Sequence, residues 1–345
     1  MSGDRVVYAA LLSGGVVLAA EPLMIRILRR LAVLDVPGMR SSHTVPTPRG
    51  GGAPIAAGLL VAAALAGAAG DVPFAAAIAF FGAVGMIDDL RGLPALRRLA
   101  LQMAGSVAVA VLLVIRLDRP PLELAAMALV TAVWVTGFVN AFNFMDGVNG
   151  ISAAHAVIGG ITYACLGEWC QDRFLVAAGL AVTLGACAFL PWNAVRARVF
   201  LGDVGSYSLG AALAVMAAWS VLHGISAEAA AGPLVLYLAD TAWTLQRRIR
   251  HGERPFEAHR THIYQRWCDV GWSHQEVTLL TTAGTVLLCL LGMVSLLGQP
   301  DLRAEADAAG LCVLVAYLSS PVLFGHPGLR ARGRHVRPAV PKGFV

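Results

Sequence analysis

Charge is scarce in this sequence. Only 14% of the 345 residues are Asp, Glu, Lys or Arg, whereas 57% are hydrophobic. Soluble domains carry about 25% charged residues, so the composition excludes an ordinary soluble protein. Almost no polar stretch is long enough for a separate soluble domain, and the chain therefore belongs in a bilayer.

Several diagnostic patterns are also missing. The six cysteines form no CxxC pair and most lie within apolar runs, which indicates small hydrophobic side chains rather than a metal or redox site. Asp88 and Asp89 do not continue into DDxxD because Gly92 follows, which excludes the prenyl-diphosphate synthase pattern. The DGxxAR pattern of CDP-alcohol phosphotransferases is absent as well.

Apolar runs dominate what remains. A membrane helix needs roughly 20 apolar residues, and the sequence offers about ten or eleven such runs. We therefore predict an all-α, polytopic membrane helix bundle. A secretory signal peptide is the alternative for the first run, but Arg5 is its only basic leader residue. The predicted spans are residues 6–28, 53–70, 73–87, 98–115, 122–139, 150–167, 174–191, 205–222, 230–247, 275–297 and 308–325.

Basic residues predict the orientation of these spans. When the loops are assigned to alternate sides, 21 of the 26 Lys and Arg residues fall on one side. Short cytoplasmic loops are enriched in positive charge, so we place the N-terminus outside and the C-terminus in the cytoplasm. The expected domains are an integral-membrane unit over 1–325 and a basic cytoplasmic tail over 326–345. Membrane orientation explains the net charge of +5 better than a nucleic-acid partner does.

Two polar segments on the predicted cytoplasmic side lie early in the chain. Residues 35–52 contain His43 and the consecutive glycines Gly50 and Gly51, whose backbone N–H groups can approach a ligand. A plain connector between helices is the alternative. Asp88 and Asp89 end the third span, where adjacent carboxylates need a cation or a proton. A solvated helix end is the alternative there.

Two further segments carry oxygen ligands. Residues 140–150 concentrate carboxamide and carboxylate groups between two spans, and such oxygens suit a hard cation such as Mg²⁺; they are Asn140, Asn143, Asp146 and Asn149. Residues 200–206 open the eighth span with Asp203, at a helix N-terminus suited to phosphate. An N-capping aspartate is the alternative for Asp203.

The fifth segment is the long basic loop over residues 247–266. Its His259, Arg260 and His262 can clamp a diphosphate and bond a sugar. Cytoplasmic positive charge alone explains the arginines at 247, 248 and 250, so they are left out of the candidate site.

Together these five segments resemble the polyprenyl-phosphate N-acetylhexosamine-1-phosphate transferases, or glycosyltransferase family 4. The resemblance covers roughly residues 35 to 266 and depends most on Asp88-Asp89, the 140–150 run and residues 200–206, in family order. Pro255-Phe256 and residues 259–262 look like the O-antigen-initiating type rather than the muramoyl-pentapeptide type. Two departures are Asn149, where the family often has Asp, and the missing Lys after the paired aspartates, for which Arg91 or Arg97 is the candidate replacement.

The resemblance implies a Mg²⁺-dependent glycosyl-1-phosphate transferase, with Mn²⁺ as an alternative ion. The donor would be a UDP-N-acetyl sugar, the acceptor undecaprenyl phosphate and the by-product UMP. The implied metal ligands are Asp203 and Asn143, and the implied catalytic residues are Asp88, Asp89 and Asp146. The implied substrate-binding residues are Asn140, Asn149, His43, Gly50, Gly51, His259, Arg260 and His262.

The implied setting is the bacterial inner membrane, with the site on the cytoplasmic face and membrane lipid around the bundle. The identity of the sugar, a homodimer, and the choice between one and two chemical steps stay open. Three other classes stay open too: a peptidoglycan-type pentapeptide transferase, a transporter and a catalytically inactive scaffold. A transporter would place ionisable groups near the bilayer midplane, whereas here only Asp240 could lie appreciably within a span, and it is near the cytoplasmic end.

Overall fold

The computed structural model describes residues 3–37, 45–68, 70–253 and 260–323. The described residues are almost entirely helical. The longer helices in chain order are α1 (Gly3–Arg30), α2 (Ala53–Ala66), α3 (Asp71–Arg91), α4 (Ala95–Val114), α5 (Pro121–Phe144), α6 (Ile151–Trp169), α7 (Arg173–Asn193) and α8 (Gly202–Leu222). There follow a short α9 (Ala227–Ala231), α10 (Val235–Arg250), a short α11 (Ile263–Asp269), α12 (His274–Val294) with a 3₁₀ turn over Ser295–Leu297, and α13 (Pro300–Leu323).

Familiar end signals divide the apolar runs into helices. Pro121 begins α5, where its missing N–H costs nothing, and Asp172 caps α7 by accepting a hydrogen bond from Leu175 N. Ser273 and Glu276 form a capping box at the start of α12. Such local signals explain why most of the predicted span boundaries lie within a few residues of the observed ones.

The all-α polytopic bundle is confirmed. Within the described ranges, seven helices are long and apolar enough to cross a membrane, namely α1, α3, α4, α5, α7, α8 and α12. Helices also occupy the other four predicted spans, but α2 is shorter and α10 carries Asp240 and three arginines. The predicted span 230–247 is interrupted between α9 and α10, at residues 232–234. The count of ten or eleven crossings and the orientation of the termini stay predictions.

Helix α8 forms the centre of the bundle. Nearly every residue from Gly202 to Ser220 is buried, and α3, α5 and α7 pack around it. Small residues allow this close packing, since a side chain at Gly85 of α3 would meet the Asp203 backbone at 2.3 Å. The N-terminus of α8 is therefore inside the protein, and its free N–H groups need protein partners.

A short irregular segment brings the first polar loop to that N-terminus. Strands β1 (Leu34–Asp35) and β2 (Thr47–Pro48) pair antiparallel, with Leu34 opposite Pro48. Directly after β2, Arg49 bridges to Phe200 in parallel fashion, and Phe200 N donates to Pro48 O at 2.8 Å. This pairing fixes residues 47–52 against the turn that precedes α8.

Candidate active site

Asp89 caps the buried N-terminus of α8 from another helix. Its Oδ1 accepts a hydrogen bond from Asp203 N and its Oδ2 one from Val204 N, both at 2.9 Å. Its side chain is only 1% exposed. Asp89 thereby satisfies helix N–H groups that would otherwise be orphaned, and its position at the end of α3 is fixed relative to α8.

Arg49 lies between two carboxylates. Its Nε is 2.7 Å from Asp89 Oδ1, and its Nη2 is 2.5 Å from Asp203 Oδ2. Burial alone would lower the pKa of Arg49, but the charges of Asp203 and then Asp89 outweigh it and raise that pKa above its ordinary value. The guanidinium therefore stays charged and neutralises two buried acids.

Asp203 does not cap its own helix, because Asp89 supplies that cap. Its carboxylate is instead held by Arg49 through Oδ2 and by Asn143 through Oδ1, which accepts from Asn143 Nδ2 at 2.8 Å. Asn143 Nδ2 also donates to Ser206 Oγ at 2.9 Å. The two predicted metal ligands, Asp203 and Asn143, are thus direct neighbours.

Asp88 points to the opposite side of the same helix end. Its Oδ1 accepts from Leu93 N at 2.7 Å, and its Oδ2 accepts from Tyr207 OH at 2.9 Å. Arg98 Nη1 lies 3.5 Å from Oδ2. Arg98 therefore reaches Asp88 and Arg49 reaches Asp89, where the sequence suggested Arg91 or Arg97.

Asp146 lies in the turn between α5 and α6. Its carboxyl keeps some surface exposure, yet enough protein surrounds it that burial raises its pKa to about 7, and the nearby charge of Asp203 adds to the rise. The charges of Asp203 and Asp89 both act on Asp146, so the turn that contains Asp146 lies near these two acids. A carboxyl with a pKa near neutrality can exchange a proton under cellular conditions.

Tyr264 contacts the turn that contains Asp146. Its hydroxyl donates to Phe144 O at 2.9 Å and lies so close to Gly147 that an added Cβ there would be 2.1 Å away. Tyr264 is in turn the second residue of α11, whose N-terminus is anchored by Asp240. The Asp146 turn therefore depends on a residue more than a hundred positions later in the chain.

The structure gives His262 and Arg260 protein partners. His262 Nδ1 lies 3.0 Å from Asp240 Oδ1 and the ring is buried, so it holds the loop rather than facing an open site. Arg260 pairs with Asp269 at 3.3 Å. Asp240 also accepts from Ile263 N, Tyr264 N, Thr244 Oγ1 and Tyr317 OH, which makes it a buried structural hub.

The glycine segment also differs from the expectation. Gly50 N and Gly51 N both donate to Phe200 O, at 3.2 and 2.9 Å, so these N–H groups are used by the protein itself. Gly50 has a φ of 110°, which a residue with a side chain rarely adopts. Gly50 and Gly51 thereby let the Arg49 segment lie close to α8. His43 and His259 lie outside the described residues.

Asn140 and Asn149 both have protein partners of their own. Asn140 Nδ2 donates to Gln102 Oε1 at 2.7 Å and to Thr136 O at 2.8 Å, which leaves its oxygen free to accept. Asn149 is tied through its backbone, since its N–H donates to His274 Nδ1 at 3.3 Å and its carbonyl accepts from Thr278 Oγ1 at 3.0 Å.

The acidic residues alone do not form a metal cage. Within the described ranges, no group of three or more His, Cys, Asp or Glu side chains is arranged to hold an ion. The Asp203 carboxylate and the Asn143 carboxamide supply hard oxygen ligands, however, and Mg²⁺ commonly takes its remaining ligands from substrate phosphates and water. The residues therefore fit an ion that is shared with a bound diphosphate.

Sequence reasoning did not assign roles to Arg49, Arg98, Tyr207 or Tyr264. Arg49 directly precedes three glycines, but nothing else in the sequence distinguishes it from the other arginines predicted to be cytoplasmic. Tyr207 lies four residues after Asp203, one helical turn along, and that spacing was a usable signal.

Comparison with known proteins is consistent with this geometry. The profile described as "Glycosyl transferase family 4" matches residues 72–221. A probable undecaprenyl-phosphate N-acetylglucosaminyl 1-phosphate transferase of Bacillus subtilis is 27% identical over 80% of this chain and 81% of its own. A decaprenyl-phosphate N-acetylglucosaminephosphotransferase of Mycobacterium leprae is 31% identical over 73% and 74%, respectively. A phospho-N-acetylmuramoyl-pentapeptide-transferase of Streptococcus mutans is 30% identical over 52% and 59%.

Proposed function

Because the chain belongs to the polyprenyl-phosphate N-acetylhexosamine-1-phosphate transferases of glycosyl transferase family 4, we propose that it uses UDP-N-acetylglucosamine as donor. The proposed acceptor is undecaprenyl phosphate, and the products are a lipid-linked sugar diphosphate and UMP. The relatives that match most of this chain carry N-acetylglucosamine in their names, which favours this sugar over the other N-acetylhexosamines.

One observation carries the proposal. Asp89 from α3, Asp203 from α8 and Arg49 from the first loop meet at a helix N-terminus, with Asn143 from α5 beside them. Buried acids that share a single guanidinium are costly unless a function needs them. The arginine is suited to phosphate, and the acids are suited to a cation that accompanies it.

In the proposed reaction, an oxygen of the lipid phosphate attacks the sugar-bearing phosphorus of the donor and UMP leaves. The protein mainly positions the two phosphates and neutralises their charge. Asp146, with a pKa of about 7, is the residue best suited to keep the attacking phosphate deprotonated. Asp88, whose oxygens are already bonded to Leu93 N and Tyr207 OH, instead holds Tyr207 and Arg98 beside the pocket.

We assign Mg²⁺ to Asp203, with Asn143 as second ligand after rotation of its amide. The ion, when bound, would neutralise the donor diphosphate. Asn140 presents a free oxygen acceptor to the sugar, because both of its N–H groups are already used. A cytoplasmic site in the bacterial inner membrane completes the proposal, since the donor is soluble and the acceptor is membrane-bound.

The test is to incubate the purified protein with undecaprenyl phosphate and a panel of UDP-sugars, with and without Mg²⁺, and to measure UMP. We expect UMP release only with acceptor, Mg²⁺ and UDP-N-acetylglucosamine. UMP formed from other UDP-N-acetyl sugars alone would correct the sugar, and UDP as product would contradict the reaction class.

A pentapeptide-linked donor is the second candidate, because muramoyl-pentapeptide transferases match about half of this chain. Including UDP-N-acetylmuramoyl-pentapeptide in the panel separates the two.

A further inference from the structure

The Arg49 guanidinium occupies the position of a cation between Asp89 and Asp203. It contacts each acid with a different nitrogen, Nε to Asp89 and Nη2 to Asp203. A planar guanidinium bridging two carboxylates in this way is a strong, directional interaction. The acids are nearly inaccessible, with side chains 1% and 9% exposed, whereas that of Arg49 is 39% exposed. Arg49 therefore covers the acids on their open side.

The two contacts differ in how easily they can open. Asp89 also accepts Asp203 N and Val204 N, so it is fixed whether or not Arg49 is present. Asp203 Oδ2 has Arg49 as its hydrogen-bond partner, while Oδ1 has the neutral amide of Asn143. The backbone of Arg49 is held as well, because Arg49 N donates to Val33 O and the next two N–H groups donate to Phe200 O. Only the end of the side chain is free to exchange partners.

A divalent ion at Asp203 must compete with this guanidinium. Two positive groups that share one carboxylate repel each other strongly in a poorly solvated pocket. The described residues hold no group of three or more His, Cys, Asp or Glu side chains arranged to coordinate an ion, so the protein alone offers the ion few ligands beside Asp203. A donor diphosphate changes the balance, because it brings ligands for the ion and an anionic partner for the arginine at once.

We propose that Arg49 is the resident counter-cation of the Asp89–Asp203 pair and makes metal binding depend on the donor diphosphate. This inference rests on the proposed function, because it takes Asp203 as the metal ligand. It assigns Arg49 as a positioning residue that keeps two buried acids neutralised between turnovers. Coupling between two ligands is reciprocal, so the metal should tighten donor binding by the same factor.

The test measures Mn²⁺ binding to the detergent-solubilised full chain by the EPR signal of free Mn²⁺. Wild type, Arg49→Gln and Arg49→Lys are compared with and without UDP-N-acetylglucosamine, in the absence of lipid phosphate. We expect wild type to bind Mn²⁺ about tenfold more tightly with donor than without it, a typical coupling. Arg49→Gln should bind the ion alone about tenfold more tightly than wild type and lose most of that dependence. Arg49→Lys should retain wild-type dependence.

Two control variants make the result specific. Arg98→Gln removes the same charge beside Asp88, without touching Asp203, and should not raise Mn²⁺ affinity. Asp203→Asn should bind little Mn²⁺ whether or not the donor is present. The Mn²⁺ bound in its sample with donor measures the ion held by the nucleotide itself and is subtracted from the values for the other variants. If Arg49→Gln is not monodisperse, Arg49→Met serves as the neutral variant.

A purely structural role of Arg49 predicts a different outcome. Neutral variants would then lose thermal stability while their Mn²⁺ affinity stayed at the wild-type value, and that result would overturn the inference. Failure of the proposed function is distinguishable, since it would appear as absent UMP release by wild type. UMP release together with unchanged Mn²⁺ affinity in the Arg49 variants would leave the function standing and reject the counter-cation.

Discussion

Asp172 and Asp89 are both helix-capping acids, at opposite ends of the bundle. Asp172 caps its own helix, accepting from Leu175 N at 3.1 Å, and also accepts from Trp219 Nε1 at the far end of α8. Asp89 caps α8 from α3, a helix 114 residues earlier in the chain. The cap of α7 is local, because Asp172 directly precedes that helix. The cap of α8 comes from a distant helix, α3.

The difference explains why Asp203 is available. At the Asp172 end, the acid caps the helix that directly follows it. At the Asp89 end, the imported cap leaves the acid of α8 free, and Arg49 must neutralise the extra charge. A second acid beyond what capping requires is the feature that makes this end the candidate active site.

The largest expected effect in this comparison comes from replacing one acid at each end, Asp203 and Asp172, by its amide. Asp203→Asn should lower kcat at least about a hundredfold, the loss typical of a key electrostatic group, while the protein stays folded. Asp172→Asn, the matched change, should leave kcat within about twofold; its amide oxygen can still cap α7, and loss of the second acceptor, which bonds Trp219 Nε1, should lower stability by about 1 kcal/mol. UMP release and thermal unfolding measure both effects. Near-normal turnover by Asp203→Asn would remove it from the site.

The next largest expected effect is on the pH dependence of kcat/KM. The pKa of Asp146 is raised from 3.8 to about 7, so the carboxyl is protonated below that pH and cannot accept a proton there. We expect kcat/KM to rise about tenfold per pH unit below pH 7 and to level off above it. The same shift contributes stability that is complete below pH 4 and lost as the pH rises through 7.

Asp146→Asn should flatten this profile, whereas Asp172→Asn should keep it. An inflection near pH 7 that survives in Asp146→Asn would assign the titration to another group.

The smallest expected effect concerns two buried tyrosines. Tyr264 OH donates to Phe144 O beside the Asp146 turn at 2.9 Å, and Tyr163 OH donates to Ala230 O, near the other end, at 2.7 Å. Each Tyr→Phe change removes one hydrogen bond, worth about 1 kcal/mol. Tyr264→Phe should lower kcat about fivefold with KM nearly unchanged. Tyr163→Phe should lower only the melting temperature, and equal kcat values for the two would contradict a positioning role of Tyr264.

The sequence predicted the helical bundle and singled out the acids as candidates, because both follow from local patterns. Long apolar runs set the helices, and paired acids or asparagines between such runs are expensive without partners. Asp88, Asp89, Asn143, Asp146 and Asp203 do meet at one end of α3, α5 and α8.

The partners of these acids could not be predicted in the same way. Arg49 acquires its role because glycines let its segment pair with Phe200, a contact across 151 residues that no local pattern records. His262 looked like a ligand residue in sequence but is held by Asp240, whose own role depends on the packing of α10, α11 and α13. Tertiary contacts decide whether a polar side chain faces a substrate or another side chain.

The central claim is that the Asp89–Asp203 end transfers a sugar together with its phosphate. The most direct measurement supplies UDP-N-acetylglucosamine labelled with ³²P at the β-phosphate, together with undecaprenyl phosphate and Mg²⁺, and follows the label. We predict that the label enters the lipid fraction while unlabelled UMP is released, and that Asp203→Asn abolishes both. Label remaining in released UDP, with sugar alone on the lipid, would contradict the account.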